Sequence, residues 1–232
     1  MGKYHAKKIP GETEEYRKAR DELLEMEIAL RNRLEEVAQL RRQLPFGGKL
    51  KENYVFDEGA ADLSDLAMVK QTRFSELFAP GKNSLIIYSF MYAPEADKPC
   101  PMCTSILDGL NGNAPHMLDR VNFVVVAKAP IQKIRRWALA RGWQNLRLLS
   151  SGKNAYNTDY FAEDSPSQQL PALNVFTKTD EGIYHFYNTE LLYVPPEKGQ
   201  NPRHVDLIWP LWNLFDLTPE GRGTNWFPKF SY

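Results

Sequence analysis

The sequence has no excess charge of either sign and no long apolar run, and each shortage removes a class of function. Its 29 lysines and arginines are balanced by 29 aspartates and glutamates, so no net positive field points to nucleic acid as a partner. No run approaches the roughly 18 apolar residues of a membrane span. The opening MGKYHAKKIPGETEEYRKAR is charged and lacks the apolar centre of a secretory signal. A soluble, cytoplasmic protein with no membrane partner is expected. Gly2 has the position of a myristoylated glycine, but Ala6 stands where that signal prefers Ser or Thr.

What is present is enough to build a core. Hydrophobic residues make up 43% of the 232 and aromatics 12%, which excludes disorder and fits one large domain, or one ordinary domain with extensions. Residues 12–44 contain no interior Gly or Pro and are rich in Glu, Arg, Leu and Ala, which predicts one long helix of roughly 50 Å. Tyr16, Leu23, Leu30, Val37 and Leu44 recur every seventh position, with Ala19, Met26 and Leu40 in the intermediate position, where Arg33 breaks the series beside Leu34, so one stripe is apolar. That stripe needs cover, either from the chain's own domain, the favoured reading, or from the same helix in a homodimer. LPFGG at 44–48 ends the helix. The expected division is therefore an N-terminal extension over 1–48 and a domain over 49–232.

The second region starts with short strands and a helical turn, then reaches SLIIYSFMYA at 84–93, apolar enough for a central strand buried on both faces. A helix is expected from about Pro101, interrupted at GNAP and resuming to Asp119. A second buried strand, VNFVVVAK, follows. PIQKIRRWALARGW reads as a helix with Pro130 near its start and Gly142 near its end, and LRLLSS as a third strand. Strand, helix, strand, helix, strand implies parallel pairing through right-handed crossovers. LPALNVFTKTDEGIYHFYN then has the pattern of an antiparallel hairpin, and HVDLIWPLWNLF that of a final helix.

Both cysteines lie in KPCPMCTS, between the first central strand and the next helix. There the unpaired N–H groups and the helix dipole stabilise a thiolate on Cys100. Cys103, one turn further in, is close enough to form a disulfide and resolve what Cys100 attacks. Metal is a competing reading, because Cys100, Cys103 and His116 match the first three ligands of a zinc finger. MLDRVN follows where the fourth should stand, and His5, His185 and His204 are distant in sequence. Covalent haem is excluded by Thr104, which occupies the histidine place of C-x-x-C-H. No metal or other cofactor is expected.

This order of elements, with C-x-x-C after the first central strand, has the grammar of a thioredoxin-like fold: α/β, three layers, a mixed central sheet and here a long N-terminal helix. Such folds put a cis-proline before the hairpin, beside the cysteines, and Pro171 in QLPALNVF has that place. It is the candidate substrate-binding residue.

With ARDELLEMEIAL, FSELFAPGKNSLIIYSFMYAP, CPMCTSILDGLNG, VVVAKAPIQKI, RGWQNLRLLSS and LFDLTPEGR in view, the chain resembles a thioredoxin-like family, domain of unknown function 899, described as predicted dithiol-disulfide oxidoreductases. The resemblance implies a thioredoxin-like core with Cys100 and Cys103 as its centre, and it supplies no substrate. It departs at HFYNTELLYVPPEKG, where Tyr187 and Thr189 of the family's pattern remain and a later Tyr-Ala-Arg-Gly is missing.

The leading expectation is a thiol-disulfide oxidoreductase acting on a disulfide-containing protein or a small thiol. Peroxide reduction by Cys100, as in peroxiredoxins, is an alternative. It would need an arginine beside the thiolate and a Thr or Ser just before it, and PEADKP offers neither hydroxyl; Lys98 could lend charge. His116 as a proton shuttle, Trp209, Trp212 and Phe215 as the border of a substrate groove, and Arg222 near an anionic ligand are further candidates. A different class altogether is a non-enzymatic dimeric adaptor that works through its long helix.

Overall fold

The backbone of the computed structural model describes residues 3–165, 168–192, 194–198, 208–221, 223 and 225–232. The chain divides into two units, Met1–Pro45 and Phe46–Tyr232. Gly47 and Gly48 belong to the second because they hydrogen-bond to the backbone of His185.

In the first unit, helix α1 spans Glu14–Arg42. The Thr13 hydroxyl accepts the Tyr16 N–H at 3.1 Å, Glu14 and Glu15 occupy the first turn, and Arg41 and Arg42 the last, so cap and charges both suit the helix dipole. Lys3 folds back on the helix: its backbone N–H donates to Asp21 at 2.8 Å and its ammonium pairs with Glu25. Among the described residues of this unit, none buries Leu23, Met26 and Leu30 of the apolar stripe, which stay 50%, 69% and 61% exposed.

The second unit runs β1 (Val55–Gly59), β2 (Val69–Arg73), β3 (Ser84–Ser89), α2 (Pro101–Arg120), β4 (Asn122–Ala127), α3 (Ile131–Arg141), β5 (Leu148–Ser150), α4 (Tyr156–Asp159), β6 (Glu163–Ser165), β7 (Gln168–Gln169), β8 (Ala172–Thr179), β9 (Gly182–Asn188) and α5 (Pro210–Asp216). Seven of the strands form one sheet in the order β2-β1-β5-β4-β3-β8-β9. Strands β3, β4 and β5 are parallel, as the crossovers through α2 and α3 require. Strand β8 runs antiparallel to β3, and β9 to β8. A parallel pair joined by a helix, flanked by an antiparallel hairpin in the order β4-β3-β8-β9, is the thioredoxin-like arrangement; β5, β1 and β2 widen it at one edge.

Strand parity sorts the core into two layers. Leu85 and Ile87 of β3 join Phe56, Phe74, Val124, Val126, Tyr156 and Phe176 on one face. Tyr88 and Phe90 join Cys103, Leu107, Val125, Ile134, Trp143 and Trp212 on the other, against α2, α3 and α5. Every residue of β4 is buried, which is why FVVVA after Asn122 reads as a continuous apolar run. Gly142 closes α3 with φ 72°, a left-handed conformation that glycine adopts without strain. No helix among the described residues is long and apolar enough to cross a membrane.

Three expectations change. Helix α2 is not interrupted at GNAP but runs through Pro115. Pro115 has no N–H for the Asn111 carbonyl, and the Asn145 side-chain amide donates to that carbonyl instead, at 3.2 Å; the Asn111 side chain accepts the Asn145 N–H at 3.0 Å. Asn145→Ala is expected to lower stability by about 1 kcal/mol, read as a lower urea midpoint at unchanged slope. Second, the final helix starts at Pro210, and 201–207, including His204, lie outside the described residues.

The third concerns Pro171: no described peptide bond is cis, so the Leu170–Pro171 bond is trans. The segment before it is held extended. Gln169 pairs with Glu163, and the Leu170 N–H donates to the Ala162 carbonyl at 2.9 Å, so the chain enters β8 without the tight turn that favours a cis bond.

Candidate active site

The site is built where β3 ends. Ser89 is the last residue of the strand, and the chain loops out and returns so that the Cys100 N–H donates to the Met91 carbonyl at 3.0 Å. Cys100 is the N-cap of α2 and Pro101 its first helical residue; the proline lacks an N–H that would be unpaired there anyway. The Cys100 carbonyl accepts both the N–H and the hydroxyl of Thr104, each at 3.0 Å, which locks the first turn.

This geometry separates the two thiols. Cys100 is half buried, whereas Cys103 is 2% exposed, and both are free thiols. A hydrogen bond from the Cys103 thiol, helped by the N–H groups of Cys103 and Met102, lowers the Cys100 pKa from 9.0 to about 6 against the opposing effect of burial. The thiol forms no full cap hydrogen bond, but its thiolate is favoured by the same orphan N–H groups. The Cys103 thiol is pushed the other way, well above its ordinary value, by donating to Cys100 and by burial. One sulfur is thus poised to carry charge and its neighbour to hold a proton.

Sequence reasoning missed Tyr88. It lies on β3 with its side chain on the α2 face, 1% exposed and in the same cluster as Cys103. Its hydroxyl interacts with the Cys103 thiol and has no full hydrogen-bond partner. Burial, and then the charge of Cys103, push its pKa well above 10.0. The available signal was a hydroxyl on an aromatic in a largely apolar run that also holds Ser84, Ser89 and Tyr92, and strand parity alone does not say which helix residue it meets.

The other candidates separate from the dithiol. His116 is exposed on α2, thirteen residues beyond Cys103 and so about 20 Å along the same helix. It can neither share a metal with the cysteines nor shuttle a proton to them. His185 lies on the opposite face, its ring nitrogen 2.9 Å from the Asn174 side chain. Among the described residues no group of three or more His, Cys, Asp or Glu is placed to hold a metal. The exposed Lys98 lies 5.8 Å from the centre of the Phe230 ring, and Arg222 is outside the described residues. Trp209 and Trp212 are 3% and 2% exposed and pack as core. Trp209 also donates to the Ser105 hydroxyl at 3.3 Å, which ties the start of α5 to the second turn of α2. Pro171 precedes Ala172, which pairs with Ser89, so it stands at the end of the sheet from which the Cys100 segment leaves.

The family described as bacterial protein of unknown function (DUF899) matches residues 6–232. No curated protein matches the sequence. Several solved peroxiredoxin structures are similar in chain course. The reduced 2-Cys peroxiredoxin of Plasmodium vivax is 18% identical, over 75% of this chain and 98% of its own, with a TM-score of 0.47. AhpC of Enterococcus faecalis is 13% identical over 74% and 93%, at 0.46. The peroxidoxin BcpB of Mycobacterium tuberculosis is 14% identical over 72% and 96%, at 0.45. At that distance no residue role or reaction transfers from them.

Proposed function

The chain belongs to that family, and we propose that it is a dithiol-disulfide oxidoreductase in which Cys100 attacks and Cys103 resolves. The observation that carries this reading is the opposed environment of two neighbouring sulfurs, one at a helix N-terminus with its pKa lowered to about 6 and one buried with its pKa raised. The Cys100 thiolate attacks one sulfur of a substrate disulfide; a Cys100–substrate disulfide forms and the first substrate thiolate leaves to take a proton from solvent. Cys103 then loses its proton and attacks the Cys100 Sγ. The Cys100–Cys103 bond forms, the second substrate thiolate leaves and is protonated, and two electrons have passed from the protein to the substrate. The half-buried position of Cys100 suits a disulfide on a protein surface or in a small molecule, and Pro171, just before the Ala172 that pairs with Ser89, is the residue proposed to flank that substrate.

The test is a pH titration of alkylation in the reduced wild-type protein, with Cys100 resolved by mass spectrometry. An apparent pKa near 6 is expected, and one near the unshifted 9.0 would sink the proposal. Because the Cys103 thiol is the chief cause of the shift, Cys103→Ala is expected to raise that pKa, whereas Cys103→Ser, which keeps a donor, preserves most of the shift. Peroxide reduction starts from the same thiolate but needs a cation that polarises it. Among the described residues no cationic side chain acts on Cys100, so exchange with disulfides is expected to outpace reaction with peroxide.

A further inference from the structure

A buried hydroxyl without a partner is destabilising, and the cluster around Tyr88 has no packing use for one. Phe90, Val125 and Leu107 fill the same layer with apolar atoms alone. The group that the Tyr88 oxygen faces is the Cys103 thiol. A neutral thiol is a weak acceptor, so in the resting dithiol this contact falls short of a full hydrogen bond. A thiolate is a strong acceptor. Reaction at Cys103 creates that thiolate in a site 2% exposed, which water cannot readily solvate. Among the described residues, the leading groups besides Cys100 that act on the Cys103 sulfur are the Tyr88 hydroxyl and the Met91 backbone, and neither is cationic.

Resting on the dithiol reading above, we propose that Tyr88 is a further catalytic residue, whose hydroxyl donates a hydrogen bond to the Cys103 sulfur as that sulfur becomes negatively charged. This happens when Cys103 attacks the Cys100–substrate disulfide, and in reverse when Cys103 leaves during reduction of the Cys100–Cys103 disulfide. Tyr88 keeps its own proton throughout, since burial holds it in the protonated form. The proton lost by Cys103 passes to solvent or to the departing substrate thiolate. The logic is that of a preorganised donor aimed where charge develops. It explains why a residue that costs stability sits under the resolving cysteine.

The test compares wild type with Tyr88→Phe, which removes one oxygen and keeps the ring, in stopped-flow reaction with an aromatic disulfide whose thiolate product is coloured. Attack by Cys100 releases the first equivalent and resolution by Cys103 the second. The first phase is expected to stay within about twofold, and the second to slow roughly ten- to a hundredfold, the range of one hydrogen bond to a charged group. The urea midpoint should be equal or higher, as for loss of an unpaired buried hydroxyl. In a Cys100→Ser background, ultraviolet titration of the Cys103 thiolate should show a further rise in its pKa with Tyr88→Phe, which a purely structural role would not cause. A wild-type second phase that Tyr88→Phe leaves unchanged, with no shift in the Cys103 titration, overturns the role of Tyr88 alone. A wild-type protein that releases no second equivalent overturns the dithiol reading, and this role with it.

Discussion

Cys100→Ser will bring disulfide exchange down to the protein-free background, whereas Cys103→Ser will attack normally and stall as a mixed disulfide at residue 100. The asymmetry follows from burial: with Cys100 gone the remaining thiol is 2% exposed and burial still disfavours its thiolate, so little of it reaches a substrate. Intact-mass measurement after a pulse of disulfide distinguishes the two variants, and rapid turnover by Cys100→Ser would overturn the assignment.

The pH profile carries a second expectation. Lowering the Cys100 pKa from 9.0 to about 6 raises the thiolate fraction at pH 7 about ninetyfold, but the less basic sulfur is about twentyfold less nucleophilic. The attack rate at neutral pH therefore gains only a few-fold. The larger gain is at acid pH and in the ease with which Cys100 leaves. Attack should be nearly flat above about pH 7 and fall about tenfold per unit below 6. The same shift bears on the stability of the reduced protein. Since the folded pKa lies below the unfolded one, the Cys100 contribution is complete above about pH 9 and is lost as pH falls through about 6.

Arg135→Ala will be among the most destabilising single changes outside the site, at about 3 kcal/mol, while Arg136→Ala next to it will stay within about 0.5 kcal/mol. Arg135 is 3% exposed. Its guanidinium donates to the carbonyls of Ala60 and Asp62 and to that of Asp65 at 3.0 Å, so one side chain of α3 secures the loop after β1. The side chain also lies across Gly59, where an added Cβ would come within 2.5 Å of its Cδ. Truncation therefore removes charge-assisted hydrogen bonds and opens a void beneath the loop. Arg135→Lys should recover only part of the loss, because an ammonium cannot serve three carbonyls set out for a planar fork. Urea unfolding of the three variants, with proteolysis of the 60–68 loop as a local readout, checks the ranking. Equal midpoints for Arg135→Ala and Arg136→Ala would contradict it.

The sequence by itself determined the features that depend on near neighbours. The alternation in LPALNVFTKTDEGIYHFYN makes a hairpin wherever it packs, the glycine after WALAR ends a helix, and a Cys-Pro pair after an apolar strand puts a sulfur at a helix N-terminus. Periods of two and 3.6 residues and the φ preferences of Gly and Pro are local physics, and they were enough to order β3, α2, β4, α3 and the hairpin and to find both thiols. What depends on contacts between distant segments was decided only by the tertiary structure. RR at 135–136 reads as two equivalent cations until the fold turns one beneath a loop some 70 residues earlier. GNAP reads as a helix break until Asn145 supplies the missing donor, and Pro171 reads as a cis-proline until β6 and β7 hold its approach extended. Tyr88 reads as one more aromatic in a buried strand. Only the docking of α2 on that face of the sheet brings its hydroxyl to Cys103, because strand parity assigns a face and packing assigns the neighbour.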